Sequence, residues 1–189
     1  MSHGSPMSHI AARRLPSLET ERLTLQPYTP DQLLALQEGV SEFEERMGVR
    51  AADGLRDFFV SDDVSPHWLE RLRRATGPDP WVFGFAVIHR DDQCVIGAAS
   101  FKGPPDDAGV VEIAYGIVPA YQGQGYATES ASALVAFAVE RVDVRTIRAH
   151  TMPDGNASMR VLVKSGFQLV GDVVDEEDGV VCRWERPVG

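Results

Sequence analysis

The stretch Tyr121-Gln122-Gly123-Gln124-Gly125-Tyr126-Ala127-Thr128 decides how the rest of the chain is arranged. An apolar run typical of a strand, residues 110–118, precedes it, and an alanine-rich run typical of a helix, residues 129–140, follows it. The order predicts a strand, a glycine turn and a helix N-terminus. Successive N–H groups at such a turn point into one space, where the helix dipole adds positive potential. We therefore expect this stretch to bind phosphate through its backbone.

Two glycines make that close approach feasible. Gly123 and Gly125 can adopt positive φ angles and leave room for an anion beside the chain. A short Gly-x-Gly is weak evidence by itself, because it also fits a tight turn that only begins an ordinary helix. A dinucleotide-binding turn is disfavoured, since no third glycine follows at the required place and the next strand ends at His150-Thr151 without an acidic residue.

The wider spacing is more specific. Gln122-x-x-Gly125-x-Ala127 resembles the Gln/Arg-x-x-Gly-x-Gly/Ala pyrophosphate loop of the GNAT N-acetyltransferases. Glu-Ile-Ala-Tyr at 112–115 and Ser-Met-Arg-Val-Leu-Val-Lys-Ser-Gly-Phe at 158–167 strengthen the match. Together they resemble the RimJ/RimL-type branch, whose members acetylate protein N-termini, other amines or antibiotics. The likeness is dense over 95–167, weaker over 18–28 and nearly absent over 38–80.

The resemblance implies a reaction and a set of cofactor contacts. Acetyl-CoA would be the co-substrate, without a metal, and the acetyl group would pass directly, in a ternary complex, to a primary amine of a protein N-terminus or a small molecule. The residues implied in cofactor binding are Ile117, Val118, Gln122, Gly123, Gln124, Gly125, Tyr126, Ala127, Thr128 and Asn156. Backbone groups of Ile117 and Val118 would pair with the pantetheine amides like an added strand. Asn156 departs from the usual Asn-x-x-Ser spacing, so it either contacts pantetheine or only caps a helix.

Glu112 is the candidate general base, because the family often has a glutamate on the strand before the loop. A partly desolvated carboxylate can have a raised pKa and can act through a water molecule. The alternative is a solvated glutamate on an exposed strand face.

The residue that would donate a proton or a hydrogen bond to the leaving thiolate departs from the usual family pattern. The tyrosine that many GNAT enzymes carry four positions before the Gly-Phe is Leu162 here, which excludes that route. Ser158 is the local hydroxyl and the second candidate catalytic residue, and its alternative role is a helix cap. Tyr115 is a further candidate, although strand tyrosines usually pack in the core.

Periodicity and turn residues predict an α/β (α+β) fold, and the resemblance implies that this fold is GNAT-like. Its mixed, mostly antiparallel sheet has about six to seven strands, helices on both faces and a parallel, splayed pair formed by 110–118 and 145–151. The other predicted strands are 22–28, 81–89, 95–102, 167–174 and 180–185. The predicted helical segments begin at Pro30 and Ser65 or span 41–47, 54–60, 129–140 and 156–165. Phe43, Phe58, Phe59 and Trp68 either line the acceptor pocket or belong to the core.

Length, charge and cysteine content limit the number of domains and the kinds of ligand that the chain can bind. A chain of 189 residues suits one domain, expected at 18–187 after a disordered tail, 1–17. The net charge of −10 disfavours nucleic acid and suits a cationic amine acceptor. No apolar run reaches membrane-spanning length. Cys94 and Cys182 lack metal-ligand spacing and are expected as buried thiols in a cytoplasmic protein. A homodimer stays open, as do a non-catalytic acyl-CoA-binding module and an interaction protein without a ligand.

Overall fold

The computed structural model describes residues 15–62, 64–154, 157–176 and 178–189. Over these residues the chain forms one sheet with the strand order β1-β2-β4-β5-β6-β7-β9-β8, and β3 pairs with β5. The strands are β1 Leu18–Glu19, β2 Leu23–Pro27, β3 Arg50–Ala51, β4 Phe85–His89, β5 Cys94–Phe101, β6 Val110–Ile117, β7 Thr146–Thr151, β8 Gln168–Asp175 and β9 Gly179–Pro187. Most of the predicted tail, residues 1–14, lies outside the described residues.

Five α-helices and two 3₁₀ turns connect the described strands. They are α1 Pro30–Glu38, α2 Val40–Met47, α3 Pro66–Arg74, α4 Tyr126–Val139 and α5 Ala157–Lys164, with 3₁₀ turns at Arg56–Phe58 and Pro119–Tyr121. The start of α1 is fixed by a capping box, in which Thr29 Oγ1 accepts the Gln32 N–H and Gln32 Oε1 accepts the Thr29 N–H. The mixed fold with helices on both sheet faces is confirmed.

The parallel pair opens after three residues. β6 and β7 are in register from Val110 opposite Thr146 to Glu112 opposite Arg148. Beyond Glu112, β6 continues beside β5, whereas β7 stays paired with β9 up to Thr151. The two strands therefore separate toward their carboxyl ends, as expected, and the gap in the sheet lies between β7 and the part of β6 that leads to the loop at 121–128.

One predicted strand begins too early, one predicted helical segment is too long, and the predicted number of strands, six to seven, is too low. The strand expected from residue 81 begins only at Phe85, because Asp79 accepts hydrogen bonds from the N–H groups of Trp81, Val82 and Phe83 and holds a turn. The helix expected over 54–60 is only the 3₁₀ turn Arg56–Phe58. The two additional strands, β1 and β3, have two residues each, too short for a period-2 pattern.

The hydrophobic core packs against the elements on both sides of the loop at 121–128. The buried side of α4 carries Ala131, Leu134, Val135 and Ala138, which join the main hydrophobic cluster with the buried residues of β5 and β6. Leu162 is fully buried in the same cluster. Cys94 and Cys182 are buried free thiols, as expected.

Candidate active site

A cleft of about 550 Å³ lies between the 121–128 loop, the end of β6 and α5. Seven of the sequence-predicted cofactor residues line it: Ile117, Gln122, Gly123, Gly125, Tyr126, Ala127 and Thr128. Gly125 takes the N-cap position of α4 with φ 87°, and Gly123 has φ 74°. Both angles lie in the left-handed region that glycine adopts without strain. The turn therefore brings bare backbone to the wall of the cleft.

The loop presents a run of unpaired donors. Within the described chain, the six successive N–H groups from Gly123 to Thr128 donate to no acceptor, and the first backbone donor after them is Glu129, which bonds to the Gly125 carbonyl. No side chain caps the helix at Gly125. Unsatisfied N–H groups at the start of a 14-residue helix form an anion site, with the helix dipole adding to it.

Cations on α5 and just before β2 add to this potential. Arg160 and Lys164 line the cleft one helical turn apart. Arg22 lies at the outer side of the loop, where its Nη1 donates to the Gln124 carbonyl at 2.9 Å. A chain with a net charge of −10 thus keeps a locally positive cleft. Gln124 does not line the cleft, and its carbonyl makes this contact with Arg22.

The loop is anchored to the start of the chain through Glu129. Its carboxylate accepts hydrogen bonds from the Thr20 hydroxyl at 2.6 Å and the Arg22 N–H at 2.7 Å, and it pairs with the Arg22 guanidinium at 2.8 Å. Arg22 also lies over the Tyr126 ring, 4.3 Å from its centre. Burial raises the pKa of Glu129, but these partners outweigh it and hold that pKa below its usual value.

Replacing Glu129 by Gln is expected to lower the free energy of unfolding at pH 7 by about 1–2 kcal/mol. The folded pKa lies below the ordinary value of 4.5, so the stabilisation is present above that pH and is lost as the pH falls through the folded pKa. Urea unfolding of both proteins at neutral and at acid pH measures this difference. The exposed Glu45 supplies the matched Glu45→Gln control. An equal loss at both pH values would contradict a charge-based role.

A second network supports the loop from β4. The buried His89 contacts the Tyr126 hydroxyl through Nε2 at 2.9 Å and Asp92 Oδ2 through Nδ1 at 3.1 Å. The Tyr121 hydroxyl donates to the same Asp92 oxygen at 2.7 Å. Two tyrosines of the loop, Tyr121 and Tyr126, are thereby tied to one histidine–carboxylate pair, which supports the donor run.

The end of β6 differs from the expectation at one residue. The N–H of Val118 is not available to pantetheine, because it donates to the Ile96 carbonyl at 2.9 Å. The Val118 carbonyl accepts the Tyr121 N–H at 3.0 Å and keeps a second lone pair. Ile117 lines the cleft, and its carbonyl accepts a hydrogen bond from Gln122 Nε2 at 2.8 Å. The predicted contact of Asn156 lies outside the described residues.

A second cavity of about 300 Å³ adjoins the cleft, and Tyr115 and Ser158 line both. Glu112 lies in this cavity, where its Oε1 is 2.7 Å from Lys102 Nζ and 3.0 Å from His150 Nδ1. Burial raises the pKa of Glu112, but the hydrogen bonds from Lys102 and His150 bring it below its usual value. The raised pKa expected from desolvation alone is therefore wrong. Glu112 is an ionised, partnered carboxylate.

Tyr115 and Ser158 form the passage between the two cavities. The Tyr115 hydroxyl donates to the Ser158 carbonyl at 3.5 Å, and burial raises the pKa of Tyr115 to about 12. The hydroxyl therefore stays protonated at working pH. Ser158 occupies the first turn of α5, half-buried, so its side chain lies where both cavities meet.

The aromatic residues of the early helices divide between core and cleft. Phe43 is fully buried, and Phe59 and Trp68 pack against the core, so these three are structural. Phe58 is exposed over 40% of its surface, lines the cleft, and approaches β6 at Gly116, where an added Cβ would lie 3.2 Å from its ring. Phe58 is therefore the one of the four that a ligand in the cleft can touch.

Sequence reasoning missed Lys102, His150, Arg160 and Lys164. Arg160 and Lys164 had a readable signal, because residues four apart on a helix share a face. The alternation of β7 places Arg148 and His150 on its polar side. Which residue of a neighbouring strand they meet depends on the register, and no local pattern gives the register of a parallel pair.

The described residues contain no group of three or more His, Cys, Asp or Glu side chains that could hold a metal ion. Among the described helices, none is long and apolar enough to cross a membrane.

Comparisons with known proteins agree with this fold. A sequence model described as an acetyltransferase (GNAT) domain matches residues 22–168. An uncharacterized N-acetyltransferase of Bacillus subtilis, YjdG, is 29% identical over 157 residues, which cover 80% of this chain and 89% of YjdG. A structure of RimL, a ribosomal L7/L12 alpha-N-protein acetyltransferase in complex with coenzyme A, aligns with a TM-score of 0.62 at 18% identity, covering 92% of this chain and 98% of RimL. The ribosomal-protein-S5-alanine acetyltransferase of Vibrio fischeri gives a TM-score of 0.63 at 15% identity, covering 92% of this chain and 97% of that chain.

Proposed function

Because the chain belongs to the GNAT family of acetyltransferases, we propose that it transfers the acetyl group of acetyl-CoA directly to a primary amine within a ternary complex. The observation that carries this proposal is the run of six unpaired N–H groups beside a cleft that opens onto the Glu112 cavity. The loop would hold the pyrophosphate, and the cleft along Ile117 and Gly116 would hold the pantetheine arm. The thioester would then lie near Tyr115 and Ser158, at the passage to the second cavity.

The proposed acceptor is an α-amine at a peptide N-terminus. Ribosomal-protein acetyltransferases of known structure share the fold over about nine-tenths of this chain. The second cavity is lined by two carboxylates, Glu112 and Asp178, and by one lysine, Lys102, and the excess carboxylate suits an ammonium group. The chain's net charge also favours the approach of a cationic acceptor. A small-molecule amine has the same reacting group, so the assay must include both classes.

Acetyl transfer to an amine has three requirements that these residues would meet. The ammonium must lose a proton before its nitrogen can attack, and we assign Glu112 an essential part in that step. The amine and the thioester must meet in one orientation, which can supply much of the rate enhancement. The departing thiolate must receive a hydrogen bond and then a proton. We assign the hydrogen bond to the Ser158 hydroxyl, beside the Tyr115 hydroxyl. Leu162 is fully buried, and its side chain has no proton to donate.

Release of free CoA thiol tests the proposal. Acetyl-CoA is mixed with the protein and a panel of peptides with different N-terminal residues, the same peptides with blocked N-termini, polyamines and aminoglycosides. We expect thiol release with one acceptor class and an acetylated product by mass spectrometry. Acetyl-CoA binding without turnover on any amine would contradict the proposal and leave the non-catalytic acyl-CoA-binding module.

Ser158→Ala is expected to lower kcat about 10- to 150-fold, because a hydrogen bond to a charged partner is worth about 1.5–3 kcal/mol. The Kd of acetyl-CoA should stay unchanged, since the loop is untouched. The substitution also leaves the Ser158 carbonyl, and hence its contact with Tyr115, in place. Steady-state kinetics and calorimetry measure the two quantities.

Thermal unfolding of the same variant separates the alternative role. A helix cap would lower stability by about 1 kcal/mol without changing turnover. A destabilised variant with full turnover would therefore assign Ser158 to capping. Tyr115→Phe, which removes the neighbouring hydroxyl, is the comparison for the thiolate contact.

A further inference from the structure

The Glu112–His150 pair is a polar contact inside the second cavity that the phosphate loop does not explain. His150 Nδ1 lies 3.0 Å from Glu112 Oε1, and both side chains are mostly buried, with exposures of 15% and 20%. Both line the 300 Å³ cavity that meets the cleft at Tyr115 and Ser158. The contact joins Glu112, the last β6 residue paired with β7, to His150, two residues beyond its partner Arg148, where the strands begin to separate.

We propose that His150 Nε2 takes the proton from the acceptor ammonium and that Glu112 is the positioning residue behind it. This inference rests on the proposed acetyl transfer and names the atom that performs its first step. It makes His150 a catalytic residue, because its ring would touch the acceptor in the cavity.

The hydrogen bond fixes the tautomer. An ionised carboxylate only accepts hydrogen bonds, so the proton between the two groups belongs to Nδ1, and the lone pair of a neutral ring is then on Nε2. In the described part of the chain Nε2 has no hydrogen-bond partner. The ring therefore carries a proton acceptor into the cavity. A carboxylate behind the ring also stabilises the imidazolium that forms when Nε2 is protonated.

Glu112 is poorly placed to take the proton itself. Its Oε1 already accepts from Lys102 at 2.7 Å and from His150 at 3.0 Å. Protonating this carboxylate would weaken both contacts, and the same contacts lower its pKa. Imidazole, by contrast, is the side chain that ordinarily exchanges protons near neutral pH. Glu112 thus orients the imidazole ring, and His150 transfers the proton.

Several charged groups surround the ring and enter any pH dependence. They come from the β5–β6 connection, β6, β7, the β8–β9 turn and β9, and are Lys102, Glu112, Arg148, Asp178 and Arg183. Arg148 is paired with Glu185 at 2.7 Å. Arg183 lies directly opposite His150 in the β7–β9 register. A measured apparent pKa would belong to this group as a whole.

With His150 as the base, every proton of the reaction is accounted for. Nε2 accepts one proton from the ammonium, giving an amine and an imidazolium. The nitrogen lone pair forms a bond to the thioester carbon, the carbon–sulfur bond breaks, and the electron pair leaves on sulfur. The second nitrogen proton ends on the thiolate, giving CoA thiol and the amide. The imidazolium then releases its proton to water, so one proton is released per turnover.

His150→Asn isolates Nε2. The asparagine amide nitrogen occupies about the position of Nδ1 and can still donate to Glu112, but nothing replaces Nε2. We expect kcat to fall about 10²- to 10⁴-fold with an unchanged Kd for acetyl-CoA, and the acid limb of the kcat/KM profile to flatten. Imidazole added to His150→Ala should restore part of the turnover, since the emptied space adjoins the cavity. The exposed His67 on α3 supplies the matched His67→Asn control.

The outcomes separate the two proposals. Loss of turnover in His150→Asn, normal cofactor binding and rescue by imidazole support the inference. Wild-type turnover and an unchanged pH profile in His150→Asn would overturn the inference and leave the proposed acetyl transfer in place. A loss of kcat in His150→Ala that added imidazole does not relieve would also overturn it. Absence of turnover in the wild-type protein across the amine panel would overturn the proposed function itself, and the inference with it.

Discussion

Glu112→Gln is expected to lower kcat about 10²- to 10⁴-fold and to leave the Kd of acetyl-CoA unchanged. The substitution keeps the size of the side chain and removes its charge. Lys102 then loses its ion-pair partner at 2.7 Å, and the group that fixes the His150 tautomer at 3.0 Å becomes an amide that can present either oxygen or nitrogen. The acidic limb of the pH–rate profile should flatten, because the proton acceptor is no longer held in its working form.

The control for this change is Glu185→Gln. Glu185 is also a paired strand carboxylate, bonded to Arg148 at 2.7 Å, but it does not line the second cavity. Its loss should leave kcat near the wild-type value. If Glu112→Gln had wild-type turnover and the wild-type pH profile, Glu112 would have no part in the mechanism.

Gly125→Val is expected to weaken acetyl-CoA binding by more than about 100-fold, because charge-assisted hydrogen bonds of about 1.5–3 kcal/mol each would be lost together. Gly125 has φ 87°, and a Cβ there would lie 3.2 Å from Arg22 Nη2. A β-branched residue would shift the loop and place its methyl groups against the N–H run. Calorimetric titration measures the affinity, and thermal unfolding verifies that the variant is folded.

Gly48→Val supplies the matched control. Gly48 has φ 75° at the end of α2, with nothing within 4 Å of an added Cβ, so the substitution brings similar backbone strain without touching the cleft. It should lose stability and keep its affinity. A folded Gly125→Val protein that binds acetyl-CoA as tightly as wild type would exclude this loop as the pyrophosphate site.

The sequence predicted the parts of the site that depend on local rules. Glycine spacing, the apolar strand before it and the alanine-rich run after it were enough to place the 121–128 turn at the start of α4. The start of α1 followed from Thr29-Pro30-Asp31-Gln32 in the same way. These features depend on contacts within a few residues, so their signal lies in one short stretch of chain.

The rest depends on contacts between distant parts of the chain. Glu112 meets Lys102 and His150 only because β6 and β7 pair for three residues and then diverge. That arrangement reversed the expected direction of the Glu112 pKa, since desolvation is a property of one residue, whereas its partners come from two other segments. The support of the loop by Arg22 and His89 is equally non-local, with contacts more than 30 residues apart in sequence.

The most direct test of the account is a backbone amide NMR titration of the protein with acetyl-CoA and, separately, with acetyl-pantetheine, which lacks the pyrophosphate. With acetyl-CoA, the account predicts the largest shifts at the amides of Gly123 to Thr128, together with changes at Tyr115 to Ile117. With acetyl-pantetheine, the changes at Tyr115 to Ile117 should persist and those at Gly123 to Thr128 should be absent. Acetyl-CoA shifts that leave the Gly123 to Thr128 amides unmoved, or equal shifts of those amides with both ligands, would contradict it.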